Sequence, residues 1–83
     1  MTVLYFAWVK EKVGVSEETV SPPADVKTVA DLMTWLSARS AGHAAAFADR
    51  KLVKAAVDHV HSPLAAPVNG AKEVAFFPPV TGG

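Results

Sequence analysis

No cysteine occurs anywhere in the 83 residues. Disulfides, thiolate metal sites and a cysteine nucleophile are excluded together. The only sulfur atoms are the thioethers of Met1 and Met33. These are poor nucleophiles and cannot hold a persulfide, so any transferable sulfur must sit somewhere other than a side-chain thiol. An excess of one charge is also missing: eight basic side chains face eight acidic ones, for a net charge of zero. Without a basic excess or a polybasic run, neither nucleic acid nor a membrane surface is an expected partner. The apolar runs are far too short to span a bilayer. Met1 leads directly into strand-like residues, with no charged and apolar leader, so the expected compartment is the cytoplasm. There is no internal repeat and no long linker, and half the residues are apolar (51%), enough for the core of one small domain.

The order of elements can be read from pattern. Val3-Leu4-Tyr5-Phe6-Ala7-Trp8-Val9 is apolar, aromatic and β-branched. It predicts a strand covered on both faces. Residues 10–14 then read as a turn and residues 16–20 as a second, more polar strand, so the chain is expected to open with a β-hairpin. Ser21-Pro22-Pro23 breaks the pattern. Thr28 is a good helix N-cap with Asp31 three residues on, and Val29, Leu32, Met33 and Leu36 recur at helical spacing. Gly42 fits the stop of that helix, and the alanine-rich residues 43–49 read as a further helical turn or two. Residues 52–57 predict a third strand, Val60 a short fourth, Pro67-Val68-Asn69-Gly70 a turn, and Glu73-Val74-Ala75-Phe76-Phe77 the last strand. Hairpin, crossing helix and closing strands make an α+β domain of the ubiquitin-like β-grasp type: a mixed sheet with one main helix packed across it. In that arrangement the first and last strands are parallel neighbours at the centre of the sheet. The domain is expected over residues 1–77, with an extended tail over residues 78–83.

The tail reads Pro78-Pro79-Val80-Thr81-Gly82-Gly83. Two prolines cannot donate to a sheet ladder and bias the chain to extended backbone. Gly82 and Gly83 carry no side chains, so such an end fits a narrow channel and leaves its carboxylate open to attack. A free carboxylate is inert to nucleophiles, but ATP would activate it as an acyl-adenylate. A sulfur donor can then displace AMP and leave a thiocarboxylate, a competent nucleophile at neutral pH. A chain without cysteine can therefore carry sulfur at Gly83, with no bound cofactor and no side-chain active site of its own.

The run from Glu73 to Gly83 resembles the terminus of the molybdopterin synthase small-subunit family. Leu4-Tyr5-Phe6-Ala7 with Lys10-Glu11 and Val13-Gly14, the helix start Thr28-Val29-Ala30-Asp31-Leu32, and Ala55-Ala56-Val57 are similar to that family as well. The resemblance implies that an adenylyltransferase related to ubiquitin-activating enzymes adenylates Gly83 and that a sulfur donor protein supplies the sulfur. It also implies that the tail enters the large subunit of a heterotetrameric synthase (two small and two large subunits), where sulfur passes to cyclic pyranopterin monophosphate. Sulfur carriers for thiamine, cysteine or tRNA thiolation, ubiquitin-like modifiers and plain β-grasp interaction modules are the alternatives.

Outside the tail, Phe76 and Phe77 are adjacent and so face opposite sides of their strand. Val74 and Phe76 are assigned to the core, and Phe77 to the surface as a docking anchor beside Pro78 and Pro79. Lys10 and His61 are candidate partner contacts. His59 and His61 are spaced to share a strand face, but no third ligand accompanies them. His43 reads as a helix-end residue, Trp8 and Trp35 as packing residues, Asp31 as a cap, and Asp58 and Glu73 as carboxylates without visible pairing.

Overall fold

A computed structural model describes residues 1–79. It contains strand β1 (Thr2–Tyr5), helix α1 (Ala7–Val13), strand β2 (Glu17–Thr19), helices α2 (Val29–Ser37) and α3 (Ala41–Ala46), a 3-10 turn (Arg50–Leu52), and strands β3 (Lys54–Val57), β4 (Val60–Ser62) and β5 (Glu73–Phe77). The five strands form one sheet in the order β2-β1-β5-β3-β4. β1 and β5 are parallel, with Val3 opposite Val74 and Tyr5 opposite Phe76, and every other neighbouring pair is antiparallel. This is the β-grasp arrangement, with β5 at its centre.

The first apolar run does not stay a strand. β1 stops at Tyr5, Phe6 N–H donates to the Phe76 carbonyl at 3.0 Å, and Ala7 turns the chain with φ 53°. Trp8 and Lys10 therefore lie on a helix, not on a strand and a turn. Val9 and Val13 are four apart, and Val9 is fully buried, so one helical stripe is present after all. Gly14, at φ 98°, ends α1 by donating its N–H to the Lys10 carbonyl at 2.8 Å. β1 and β2 pair antiparallel as expected, but a helix connects them in place of a loop.

α2 carries the predicted capping box. Thr28 Oγ1 accepts from Asp31 N–H at 3.1 Å, and Asp31 Oδ2 accepts from the N–H groups of Lys27 and Thr28. Those two backbone donors, Lys27 first, hold the Asp31 carboxyl below its usual range. Val29, Leu32, Met33 and Leu36 are all fully buried against the sheet, each such side chain contributing about 1.5–3 kcal/mol. α2 ends at Ser37, ahead of Gly42, which lies inside α3. Gly42 is there for a different reason: a Cβ at this position would collide with the Lys12 carbonyl oxygen of α1. The two helices touch backbone to backbone. Among the described residues α1 and α3 join α2 on the sheet, and α2 is the main helix, supplying most of the buried stripe.

The strand expected from residue 52 begins at Lys54, because Arg50–Leu52 coil into the 3-10 turn. Arg50 ties that turn to α2 through the Ala30 carbonyl and the Thr34 hydroxyl. β3 and β4 are joined by Asp58-His59, both at positive φ (46° and 70°), the two-residue hairpin geometry that matches strand twist. Asp58 Oδ1 accepts from the N–H groups of Lys72 and Glu73, each at 2.9 Å, pinning the hairpin to the start of β5.

Candidate functional site: the open sheet face and the base of the tail

The buried side chains of the helices (Val9, Val29, Leu32, Met33, Leu36, Ala46) join one cluster with Val3, Tyr5, Ala55, Val74 and Phe76 of the sheet. Strand alternation sends the intervening residues to the other face. There, register aligns Glu17, Leu4, Ala75, Ala56 and His61 in one row across all five strands. The row is apolar at its centre and polar only at its ends. In β1 the outward residues Thr2 and Leu4 are half-buried rather than buried, which corrects the expectation that this strand is covered on both faces. Only Leu4 of the apolar run lies on this face of β1, beside the small, buried Ala75 of β5.

Phe77 takes the position predicted for it. It ends β5 on this open face, half-buried, with its ring tilted 53° against that of His61 at 5.2 Å. Lys54 stands opposite it on β3. Phe76, one residue earlier, is fully buried, stacked on Tyr5 at 6.3 Å and edge-on to Phe47 at 4.9 Å. The last strand therefore anchors on one ring and presents the next. Pro78 and Pro79 follow, half-buried. Val80, Thr81, Gly82 and Gly83 lie outside the described residues.

Lys10 is exposed on the last turn of α1 and shares a shallow depression with Leu4, Phe6 and Glu17. The structure thus brings Lys10 to the β1 side of the open face and His61 to the β4 side. Phe6 was not singled out from the sequence, because it was absorbed in the run assigned to a buried strand. It is 48% exposed and its backbone is hydrogen-bonded to that of Phe76, which places it beside the base of the tail. Its signal was available: it alternates with Tyr5 and Val3, which point inward. His59 does not join His61, since it sits in the hairpin turn, 3.5 Å from Glu73. Among the described residues no group of three metal-ligating side chains comes together.

The opposite face holds a polar network that the sequence did not reveal. His43 lies in the last turn of α3, at the helix end as expected, but it is buried. Its Nε2 lies 2.6 Å from Glu18 Oε2, and its Nδ1 lies 2.7 Å from Ser40 Oγ. The Tyr5 hydroxyl donates to the same Glu18 oxygen at 2.6 Å, and Arg39 reaches Oε1 at 3.4 Å. Burial alone would raise the Glu18 carboxyl, but hydrogen bonds from His43 and Tyr5 outweigh it and the net shift is downward. Burial, and then the bond to Glu18, pushes the Tyr5 hydroxyl far up. Among the described residues no buried side-chain nitrogen or oxygen is left without a hydrogen-bond partner.

Among the described residues the β-grasp sheet carries Phe77 at the end of β5 on the face away from the helices. A profile of the ThiS family matches residues 3–83. The chain belongs to the ThiS family. It is 44% identical over 81 residues to the molybdopterin synthase sulfur carrier subunit of Escherichia coli (strain K12), covering 98% of this chain and 96% of that protein. It is 34% identical to the protein of the same name from Haemophilus influenzae, over 100% of this chain and 99% of the other. Among solved structures, it is similar to one assigned as molybdopterin converting factor, subunit 1, from Pyrococcus furiosus (TM-score 0.72, 27% identity, 95% of each chain). The crystal structure of SAMP1 from Haloferax volcanii (TM-score 0.71, 24% identity, 100% of this chain and 98% of that one) shares the fold. The ThiS-family match runs through Gly83, so it includes the diglycine. No helix among the described residues of this ThiS-family chain is long and apolar enough to cross a membrane.

Proposed function

We propose that this chain is a sulfur carrier of molybdenum cofactor biosynthesis, acting through the main-chain carboxylate of Gly83. The observation that carries the proposal is the 44% identity, over nearly the full length of both chains, to a molybdopterin synthase sulfur carrier subunit. The open face and the position of Phe77 support it.

The carboxylate oxygen attacks the α-phosphorus of ATP, pyrophosphate leaves, and an acyl-adenylate forms. Hydrosulfide adds to its carbonyl carbon, AMP departs with the bonding pair, and loss of the S–H proton leaves a thiocarboxylate. The activating partner, an adenylyltransferase of the ubiquitin-activating type, holds the ATP, and a separate donor protein supplies the sulfur. Within the large subunit of molybdopterin synthase the thiocarboxylate sulfur attacks a carbon of cyclic pyranopterin monophosphate as the oxygen substituent on that carbon leaves with the bonding pair; water then cleaves the acyl C–S bond of the thioester, leaving the sulfur on the pterin and a carboxylate on Gly83. Two such transfers complete the dithiolene of molybdopterin. The heterotetramer of two carriers and two large subunits is part of the proposal.

In this reading the open face is what each partner grips. Phe77, Pro78 and Pro79 set the direction of the arm, with Val80 and Thr81 lining its path and Gly82 and Gly83 reaching the reacting atoms. Lys10 and His61 flank the grip. An aromatic anchor on an otherwise shallow apolar surface is a common source of docking energy.

The test is reconstitution with the activating enzyme, ATP, sulfide, the large subunit and cyclic pyranopterin monophosphate, followed by intact-mass spectrometry. The expected result is replacement of one oxygen by sulfur on Gly83, and loss of product when Gly83 is deleted. Full turnover by the shortened chain would refute the mechanism. A Gly83 isopeptide to lysine would assign the chain to protein modification instead.

A further inference from the structure

A depression of about 300 Å³ lies where the 3-10 turn meets the start of β3 and the end of β4. Every charged side chain that lines it is basic: Arg50, Lys51 and Lys54. Ser62, Pro63 and the exposed Leu64 complete the lining. The neighbouring carboxylates border other depressions. Asp49 caps the 3-10 turn through the Lys51 N–H and lies beside Trp8, and Asp31 caps α2 and lies beside Trp35. Counting Asp49 against the cluster still leaves a surplus of two positive charges, on a chain whose net charge is zero.

Among the described residues none of the three cations is in an ion pair. Arg50 is half-buried, and its guanidinium is held by two neutral acceptors, the Ala30 carbonyl and the Thr34 hydroxyl. Those bonds fix the planar group without cancelling its charge, so it has less side-chain freedom to lose on binding. Lys51 and Lys54 are exposed. Like charges held together repel, and an acidic group that covers them relieves the repulsion. Lys54 stands opposite Phe77 across the β3–β5 pair, so the cluster begins beside the ring at the base of the tail.

We infer that Arg50, Lys51 and Lys54 receive an acidic segment, a run of aspartate or glutamate, on the protein that accepts the tail. The inference rests on the sulfur-carrier reading, because a partner that grips Phe77 and draws in the arm comes up against Lys54. Opposite charge at the rim of such an interface speeds encounter and fixes register more than it adds affinity. The apolar open face supplies contact area, and the cluster at its β3 edge supplies direction. Three cations on a chain without net charge are too few to follow a phosphate backbone against salt, so an acidic protein surface is the better match than a nucleic acid.

Stopped-flow binding of the full chain to the purified molybdopterin synthase large subunit, at low and at raised salt, tests this. Lys51→Glu isolates the cluster from the open face, because Lys51 lies in the 3-10 turn and not on the sheet. The substituted side chains are exposed, and circular dichroism verifies the fold of each variant. At low salt Lys51→Glu is expected to slow association by about threefold to tenfold with little change in dissociation, and Lys51→Glu with Lys54→Glu to slow it further. The effect should shrink as salt is raised. Lys51→Arg, which keeps the charge, and Lys72→Glu, which makes the same charge change at the other end of β5, should associate as the unmodified chain does. Unchanged association of the double variant, with the unmodified chain binding normally, overturns this inference and leaves the sulfur-carrier reading intact. Equal slowing by Lys72→Glu, or a loss that persists at high salt, overturns it as well. If the double variant loses only retention of single-stranded RNA, the cluster serves a nucleic acid and the inference fails. An unmodified chain that does not bind the large subunit removes both readings.

Discussion

His43 Nε2 of α3 sits 2.6 Å from Glu18 Oε2 of β2, joining two elements that are otherwise distant in sequence. The same oxygen accepts from Tyr5 of β1, so one carboxylate ties a helix to two strands. Replacing Glu18 by Ala leaves a buried imidazole and a buried hydroxyl without that partner. A loss of about 2–4 kcal/mol is expected, from two orphaned donors. Urea titration of Glu18→Ala checks it, and a change well below 1 kcal/mol would mean that water replaces the carboxylate at no cost.

The Glu18 network and the Asp31 cap together set a pH dependence at both ends. Glu18 and Asp31 ionise more readily in the folded chain than their ordinary values of 4.5 and 3.8. Their stabilisation is complete above those values and is lost as pH falls through the lowered folded ones. Tyr5 behaves oppositely, since its folded hydroxyl resists ionisation well above 10.0. Above that pH the unfolded chain releases a proton that the folded chain keeps, so stability falls again. Thermal melts across the pH range should show a plateau with an acid limb and an alkaline limb. Glu18→Gln should flatten the acid limb, and a limb unchanged in that variant would contradict the assignment.

Gly42 is a close-approach residue, not a helix stop. Gly42→Ala drives a methyl group into the Lys12 carbonyl, with the Val13 carbonyl 3.3 Å away on the same side. Both obstacles are backbone and cannot rotate aside. An overpacking cost of about 1–3 kcal/mol is expected, opposite in sign to the usual gain from replacing a helical glycine by alanine. A melting temperature equal to or above that of the unmodified chain would show that α1 and α3 separate freely.

The Asp58-His59 turn separates two roles that look alike from the backbone. Both residues have positive φ, but only Asp58 accepts two buttressing hydrogen bonds from β5. His59 has an exposed pairing with Glu73, a kind worth little. His59→Gly should therefore stabilise slightly, by up to about 1 kcal/mol from relieved strain less the entropy of glycine. Asp58→Ala should destabilise by about 1–3 kcal/mol. Equal effects of the two substitutions would rule out this division.

Most of the fold was legible because its determinants are local. The cap at Thr28, the stripe from Val29 to Leu36 and the bounds of β5 all declare themselves in short windows. What was missed depends on contacts across the chain. Residues 3–9 read as one strand because apolar side chains fit a buried strand, an open sheet face and a helix stripe equally well. Only pairing with β5 shows where β1 stops. His43 reads as a helix-end residue, which it is, but its burial could not be seen because its partners, Glu18 and Tyr5, lie 25 and 38 positions away. Gly42 looked like a terminator because the carbonyl it accommodates belongs to another helix. The outward position of Phe77 at the end of the last strand follows from alternation with Phe76, whereas the exposure of Phe6 and the row through Leu4, Ala75 and Ala56 needed the register.

Phe76 and Phe77 offer the sharpest separation of folding from docking, because adjacent rings of the same type point to opposite faces of one strand. Phe76 is fully buried against Tyr5 and Phe47. Truncating it to Ala should cost about 3–5 kcal/mol, a large share of what a domain this small has available. Phe77 is half-buried, with its ring against His61, so Phe77→Ala should cost much less than Phe76→Ala, about 1 kcal/mol. The order reverses for sulfur transfer in the reconstituted system. Phe77→Ala should remain folded and lose most of its activity through weaker partner binding. A more conservative Phe77→Leu, which keeps apolar bulk, should recover part of it. If Phe77→Ala folds normally and transfers sulfur at the full rate, the open face is not the surface that partners grip.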